Sequence, residues 1–122
     1  MSTYEYRAIY SSWGIAIDVT ATAHRVSVPP STAERVADDL YLEIAPEVRL
    51  DDGERRLLAS GLRRVAARVP RDGRALLVCI VAIRFNECDY QAEGLEAAIM
   101  AWTAVELGFE PPVVRVAFDR AA

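Results

Sequence analysis

Residues 75–85 read Ala75-Leu76-Leu77-Val78-Cys79-Ile80-Val81-Ala82-Ile83-Arg84-Phe85. The stretch is apolar on both alternating phases, and no charge interrupts it from Ala75 to Ile83. Such a pattern predicts a central strand. It is either covered on both faces, or covered on one and packed in an interface on the other. The run falls far short of the ~20 residues that a membrane-spanning helix needs.

Working outward, Pro70-Arg71-Asp72-Gly73 predicts the turn that feeds this strand. Upstream, Asp51-Asp52-Gly53-Glu54 is a helix-start signal, and a helix is expected to about Arg68. Leu58, Leu62, Val65 and Val69 fall on one side of it, with Arg55, Arg56, Arg63 and Arg64 on the other. Downstream, Asp89 is expected to cap a helix from about Tyr90 to Leu107, with Leu95, Ala98, Ile99, Trp102 and Val105 as its core stripe and Gly108 as its stop. Pro111-Pro112 leads into an expected last strand, Val113 to Phe118.

The N-terminal third alternates with period two. Tyr4, Tyr6, Ala8 and Tyr10 share one phase, and Ile15, Ile17, Val19, Ala21 and Ala23 form the cleanest run. A hairpin about Ser11-Ser12-Trp13-Gly14 follows. The apolar phase flips after His24 to Val26 and Val28, which predicts a bulge or a break near His24-Arg25. Pro29-Pro30 ends the strand, and Ser31-Thr32-Ala33-Glu34 has the form of a capping box. Val36, Leu40 and Ile44 fit a helix, whereas Leu40, Leu42 and Ile44 fit a strand. The reading adopted is a short helical turn to about Asp38, then a strand from Asp39 to Ala45.

The order β-β-(α)-β-α-β-α-β predicts a single α+β domain over 1–122: a two-layer sandwich with a mixed sheet of about five strands and two main helices on one face. Gly61 and Gly94 lie inside the expected helices, where glycine costs about 1 kcal/mol against alanine. Close backbone packing is the expected reason.

The 122 residues are 52% hydrophobic, which suits one packed core and excludes a disordered chain. All fourteen basic residues are arginine. Without lysine there is no P-loop and no Schiff-base chemistry on the chain. With His24 as the one histidine, no two-histidine metal site exists. No metal and no cofactor is expected. Arginine without lysine, together with abundant alanine, points to a GC-rich, actinobacterial kind of genome. Cys79 and Cys88 read as reduced thiols of a cytoplasmic protein, and no signal peptide is visible.

The net charge of −4 conceals segregation. Residues 34–54 sum to −6, residues 55–84 to +7, and residues 85–110 to −6. The arginine-rich helix is expected beside an acidic one, each partly neutralising the other. No aromatics interleave with the arginines, and the pI is near 5.0, so nucleic acid is disfavoured as a partner.

The densest polar cluster is Arg84, Asn86, Glu87, Asp89, Tyr90 and Gln91, at a strand end and helix start where sites in α/β proteins gather. Its structural explanation is a cap by Asp89 and a turn at Asn86. His24 is a further candidate binding residue, and a candidate acid or base with Asp18 or another acid. Asp38-Asp39 and Asp51-Asp52 are carboxylate pairs better explained by helix starts and a solvated loop than by a cation. The tyrosine face of the first strand suits a pocket, a dimer interface or core packing.

Leu40-Tyr41-Leu42-Glu43-Ile44, Gly61-Leu62 and Asp89-Tyr90-Gln91 opening an alanine-rich helix carry a resemblance. From Leu40 to Asp119 the chain resembles, in element order, the fourth domain of elongation factor G, which has the ribosomal protein S5 domain 2-like fold. The resemblance covers about two thirds of the chain. The factor's nucleotide-binding domain is absent, and the family's Asp-Ser-Ser stands here as Asp89-Tyr90-Gln91. The resemblance therefore implies a fold and transfers no ribosomal activity.

The leading expectation is a small acidic, non-catalytic protein-binding module. It would be immunity- or antitoxin-like, neutralising a basic partner, or an accessory subunit. The alternative is a small biosynthetic enzyme or ligand binder with a pocket near Arg84–Gln91. A homodimer built through exposed strands is the third.

Overall fold

The computed structural model describes residues 1–10, 13–85 and 92–110. Strands β1 (Ser2–Tyr10), β2 (Trp13–Val26), β3 (Glu34–Ala37) and β4 (Leu40–Ile44) come first. Helix α1 (Asp52–Val65) follows and ends in a 3₁₀ turn, Ala66–Arg68. Strand β5 (Ala75–Phe85) and helix α2 (Gly94–Leu107) complete the described elements. The sheet order is β1-β2-β5-β4-β3. Among the described strands, β4 and β5 are parallel and the other neighbours are antiparallel. This mixed sheet with two helices is an α+β fold, as the pattern of elements predicts.

Both helices lie on one face. Ile15, Ile17, Val19 and Ala21 of β2, Leu76, Val78 and Ile80 of β5, and Leu40 and Leu42 of β4 join one buried cluster with Leu58 and Leu62 of α1 and Leu95, Ile99 and Trp102 of α2. Tyr4 and Tyr6 pack against that cluster. Tyr4 and Tyr6 are therefore core lining. The buried Trp102 indole N–H donates to the Ser2 carbonyl at 3.1 Å, and the buried Thr103 hydroxyl donates to the Ile99 carbonyl at 2.7 Å. Neither polar group is left without a partner in the core.

Helix α1 starts where its sequence signal lies. The Asp51 side chain accepts the Glu54 N–H at 2.7 Å, and Glu54 Oε1 accepts the Asp51 N–H at 3.0 Å. The two glycines serve the helix packing. A Cβ on Gly61 would stand 2.4 Å from Ile99 Cγ2 and 2.7 Å from the Glu96 carbonyl oxygen, so α1 and α2 touch backbone to backbone there. Gly94 instead opens α2 and lies over Ile15 and Ile17 of β2.

Several expectations need correction, among them Val105, expected in the core stripe of α2 but 68% exposed. The short helix after Thr32 is strand β3, paired antiparallel with β4. Asp39 takes a left-handed φ of 57°, which closes the Asp38-Asp39 hairpin turn. Val36 is then buried in the core, and its carbonyl accepts the Arg63 Nε–H at 3.0 Å. Tertiary pairing outweighs the local capping signal, which predicts a helix only if nothing better is adjacent.

The bulge is not at His24-Arg25 either. β2 runs unbroken to Val26, and the register shifts between Thr20 and Ala21, opposite an extra residue, Val81, in β5. The apolar phase of β2 breaks because Arg25 takes a helix-side position and folds back. Its guanidinium donates to the carbonyls of Pro70 and Arg74. Helix α2, finally, begins at Gly94 and not near Tyr90, with no side-chain cap at Glu93. Asp89, the expected cap, and the expected strand Val113 to Phe118 lie outside the described residues.

Candidate binding surfaces

Every second residue of the sheet faces away from the helices. Register places Glu5 of β1, Asp18 of β2 and Arg84 of β5 side by side on that uncovered face, and Thr22 beside Cys79. Tyr41 and Glu43 continue it on β4, beside Leu77 and Cys79. The Thr3 and Thr20 hydroxyls meet at 2.7 Å. Arg7 binds Asp18 Oδ1 at 2.8 Å and lies 3.6 Å from Glu5. Its guanidinium also donates to the Tyr6 carbonyl at 2.9 Å. Arg7 is thus committed within the chain.

Arg84 is not. It is exposed, directly opposite Asp18, yet among the described residues it makes no ion pair. Arg7, Ala16, Asp18, Arg84 and Phe85 line a shallow depression of about 280 Å³ there. The other members of the expected cluster, Asn86, Glu87, Asp89, Tyr90 and Gln91, lie outside the described residues.

His24 is exposed on the same face but pairs with Leu77, six positions along β2 from Asp18. At ~3.3 Å per residue, that places it roughly 20 Å from Asp18 and Arg84. His24 and Asp18 therefore do not form an acid–base pair, and His24 belongs to a different part of the surface from Arg84.

The carboxylate pairs have structural partners. Asp38 binds Arg35, Asp39 forms the hairpin turn, and Asp51 caps α1. Among the described residues, no three His, Cys, Asp or Glu side chains gather as a metal site would require. The Cys79 thiol is pushed up from its ordinary pKa by burial, with the Glu43 and Glu47 carboxylates adding to the shift. A thiol so placed is a poor nucleophile at neutral pH.

The arginine helix is only partly neutralised by its neighbour. Arg64 and the Ser60 hydroxyl both bind Glu96 of α2, clamping a carboxylate that is 19% exposed. Arg63 and Arg68 are spent on the carbonyls of Val36 and Glu110. Arg55 and Arg56 are exposed and make no ion pair among the described residues.

One feature shares only Arg84 with the polar cluster predicted from sequence. Residues 47–50, between β4 and α1, and residues 81–85 of β5 enclose a groove of about 270 Å³. A signal for it existed in the unequal reach of two strands: the fourth stretch stops near Ala45, while the central one runs on to Phe85. Reading that signal required knowing that the two are neighbours.

No protein-family model matches the chain, and no curated protein matches it either.

Among the described residues, no helix is long and apolar enough to cross a membrane.

Proposed function

We propose that the chain is a non-catalytic protein-binding module, immunity- or antitoxin-like or an accessory subunit, and that it takes a basic protein on the sheet face opposite its helices. The observation carrying this reading is β5. It is apolar on both phases, and the described helices cover only one of them. On its second face Leu77 is buried beside its strand neighbours and Cys79 is half-buried, an apolar strip that a partner would cover.

Charge supports the polarity of the partner. Glu34, Asp39, Glu43 and Glu47 lie along hairpin β3–β4 and the loop behind it, and none of the four makes an ion pair among the described residues. A basic surface would be drawn to that edge, in a manner sensitive to salt.

The test is calorimetric titration with the basic protein encoded by a neighbouring gene, at low and high ionic strength. The expected result is a complex that weakens about ten-fold or more as salt rises. Thr22→Arg, on the uncovered face, should weaken it further with the melting temperature unchanged. Absence of a complex, or a complex indifferent to both changes, overturns the reading.

A further inference from the structure

The groove along the end of β5 has the form of a place for one more strand. Strand β4 pairs with β5 as far as Ile44 opposite Ile80, and the ladder ends where the Ala45 N–H donates to the Ile80 carbonyl at 2.9 Å. β5 continues for five residues beyond that point, to Phe85. The groove is walled by residues 81–85 in unbroken sequence. Consecutive residues of a strand point to opposite faces, so a groove touching all of them runs along the strand's edge and not over a face.

Hydrogen-bonding direction agrees. Before the extra residue Val81, the helix-side residues Leu76 and Ile80 turn their backbone groups towards β4. After it, Ile83 is the helix-side residue, opposite Val19, so its N–H and C=O turn towards the groove. The opposite wall supplies Val48 and Leu50, which give apolar contact for alternate side chains of an incoming strand. Arg49 and Arg84 stand at the rim, exposed and without an ion pair among the described residues, against the single carboxylate Glu47.

We propose that this groove binds an extended acidic peptide segment of a partner protein by strand addition to β5 at Ile83, with Arg49 and Arg84 pairing its carboxylates. The groove follows the strand edge and shares Arg84 with the face invoked above, but the inference stands without that reading.

The test uses the full chain and a short capped peptide alternating valine with glutamate, followed by amide hydrogen exchange and ¹⁵N–¹H spectra. In the free chain the Ile83 amide should exchange quickly. Saturating peptide should slow it about ten-fold or more and shift the amides of residues 81–84. A lysine-for-glutamate peptide should bind about ten-fold or more weakly, and one with a central proline should not protect Ile83. Arg49→Glu with Arg84→Glu should invert the preference for glutamate over lysine. Any of three results overturns the proposal: an Ile83 amide already protected in the free chain, whether by self-association or otherwise; no protection at saturation; or equal binding of both peptides.

Discussion

Arg25 shows how one residue can mislead a pattern and still be explained by it. It occupies a helix-side position of β2 where the alternation calls for an apolar side chain. Its guanidinium holds the carbonyls of Pro70 and Arg74. Asp72, 3.6 Å away, completes the arrangement. The Arg74 N–H holds the Asp72 carboxyl below its usual range, with the Arg25 and Arg74 guanidiniums adding to the effect. Cys79 makes the residue-scale prediction. Burial disfavours its thiolate, and the nearby Glu43 and Glu47 charges disfavour it further. In a Cys88→Ser background, its rate with a disulfide reagent should rise with pH through a midpoint above the ordinary thiol value of about 8.5. At pH 7 it should react more slowly than a small free thiol, and equal rates would refute the argument.

At the scale of elements, the contact between α1 and α2 is set by a missing side chain. Gly61→Ala gains about 1 kcal/mol of helix propensity. It also drives a Cβ into the backbone of Glu96, which has no flexible end to yield. Overpacking of this kind costs about 1–3 kcal/mol, so a net loss of stability is expected. Gly94→Ala meets side-chain methyls of Ile15 and Ile17, at 2.9 and 3.0 Å, and no backbone, and should cost less. Gly53→Ala is exposed, gains helix propensity and meets only the Asp51 side chain, at 3.3 Å, so it should not lose stability. Urea denaturation of the three variants ranks them, and Gly61→Ala matching Gly53→Ala would show that the helices move apart freely. Gly61 was legible as a packing residue, because nothing else offsets its helix penalty; Gly94 was not, because it opens α2 and meets side chains of β2 instead of a helix backbone. β3 was not: Glu34-Arg35-Val36-Ala37 has no period of its own, and only β4 alongside makes it a strand.

At the scale of the whole molecule, a single buried cluster draws on β2, β3, β4, β5 and both helices. No described element has a separate core, so unfolding should be one cooperative event. In a Trp13→Phe background, Trp102 fluorescence and far-UV circular dichroism should give superimposable urea transitions. Separate midpoints would mean that part of the sheet unfolds alone. The candidate site was legible only in part. Arg84 stands out as the charge at the end of an apolar strand, but His24 sits roughly 20 Å from it by strand rise. No spacing in sequence reveals that, because the separation depends on register between strands far apart in the chain.

Alternation, capping signals and the two-phase apolar run are local, set by side-chain period and hydrogen-bonding chemistry within a few residues. They were enough to establish an α+β chain with a central β5, an α1 starting at Asp51-Asp52, and helices in close contact. Strand order, the parallel pairing of β4 with β5, the bulge at Val81 and the groove beyond Ala45 were decided by tertiary structure alone. Each depends on which backbone edge satisfies which other, and residues distant in sequence make that choice together.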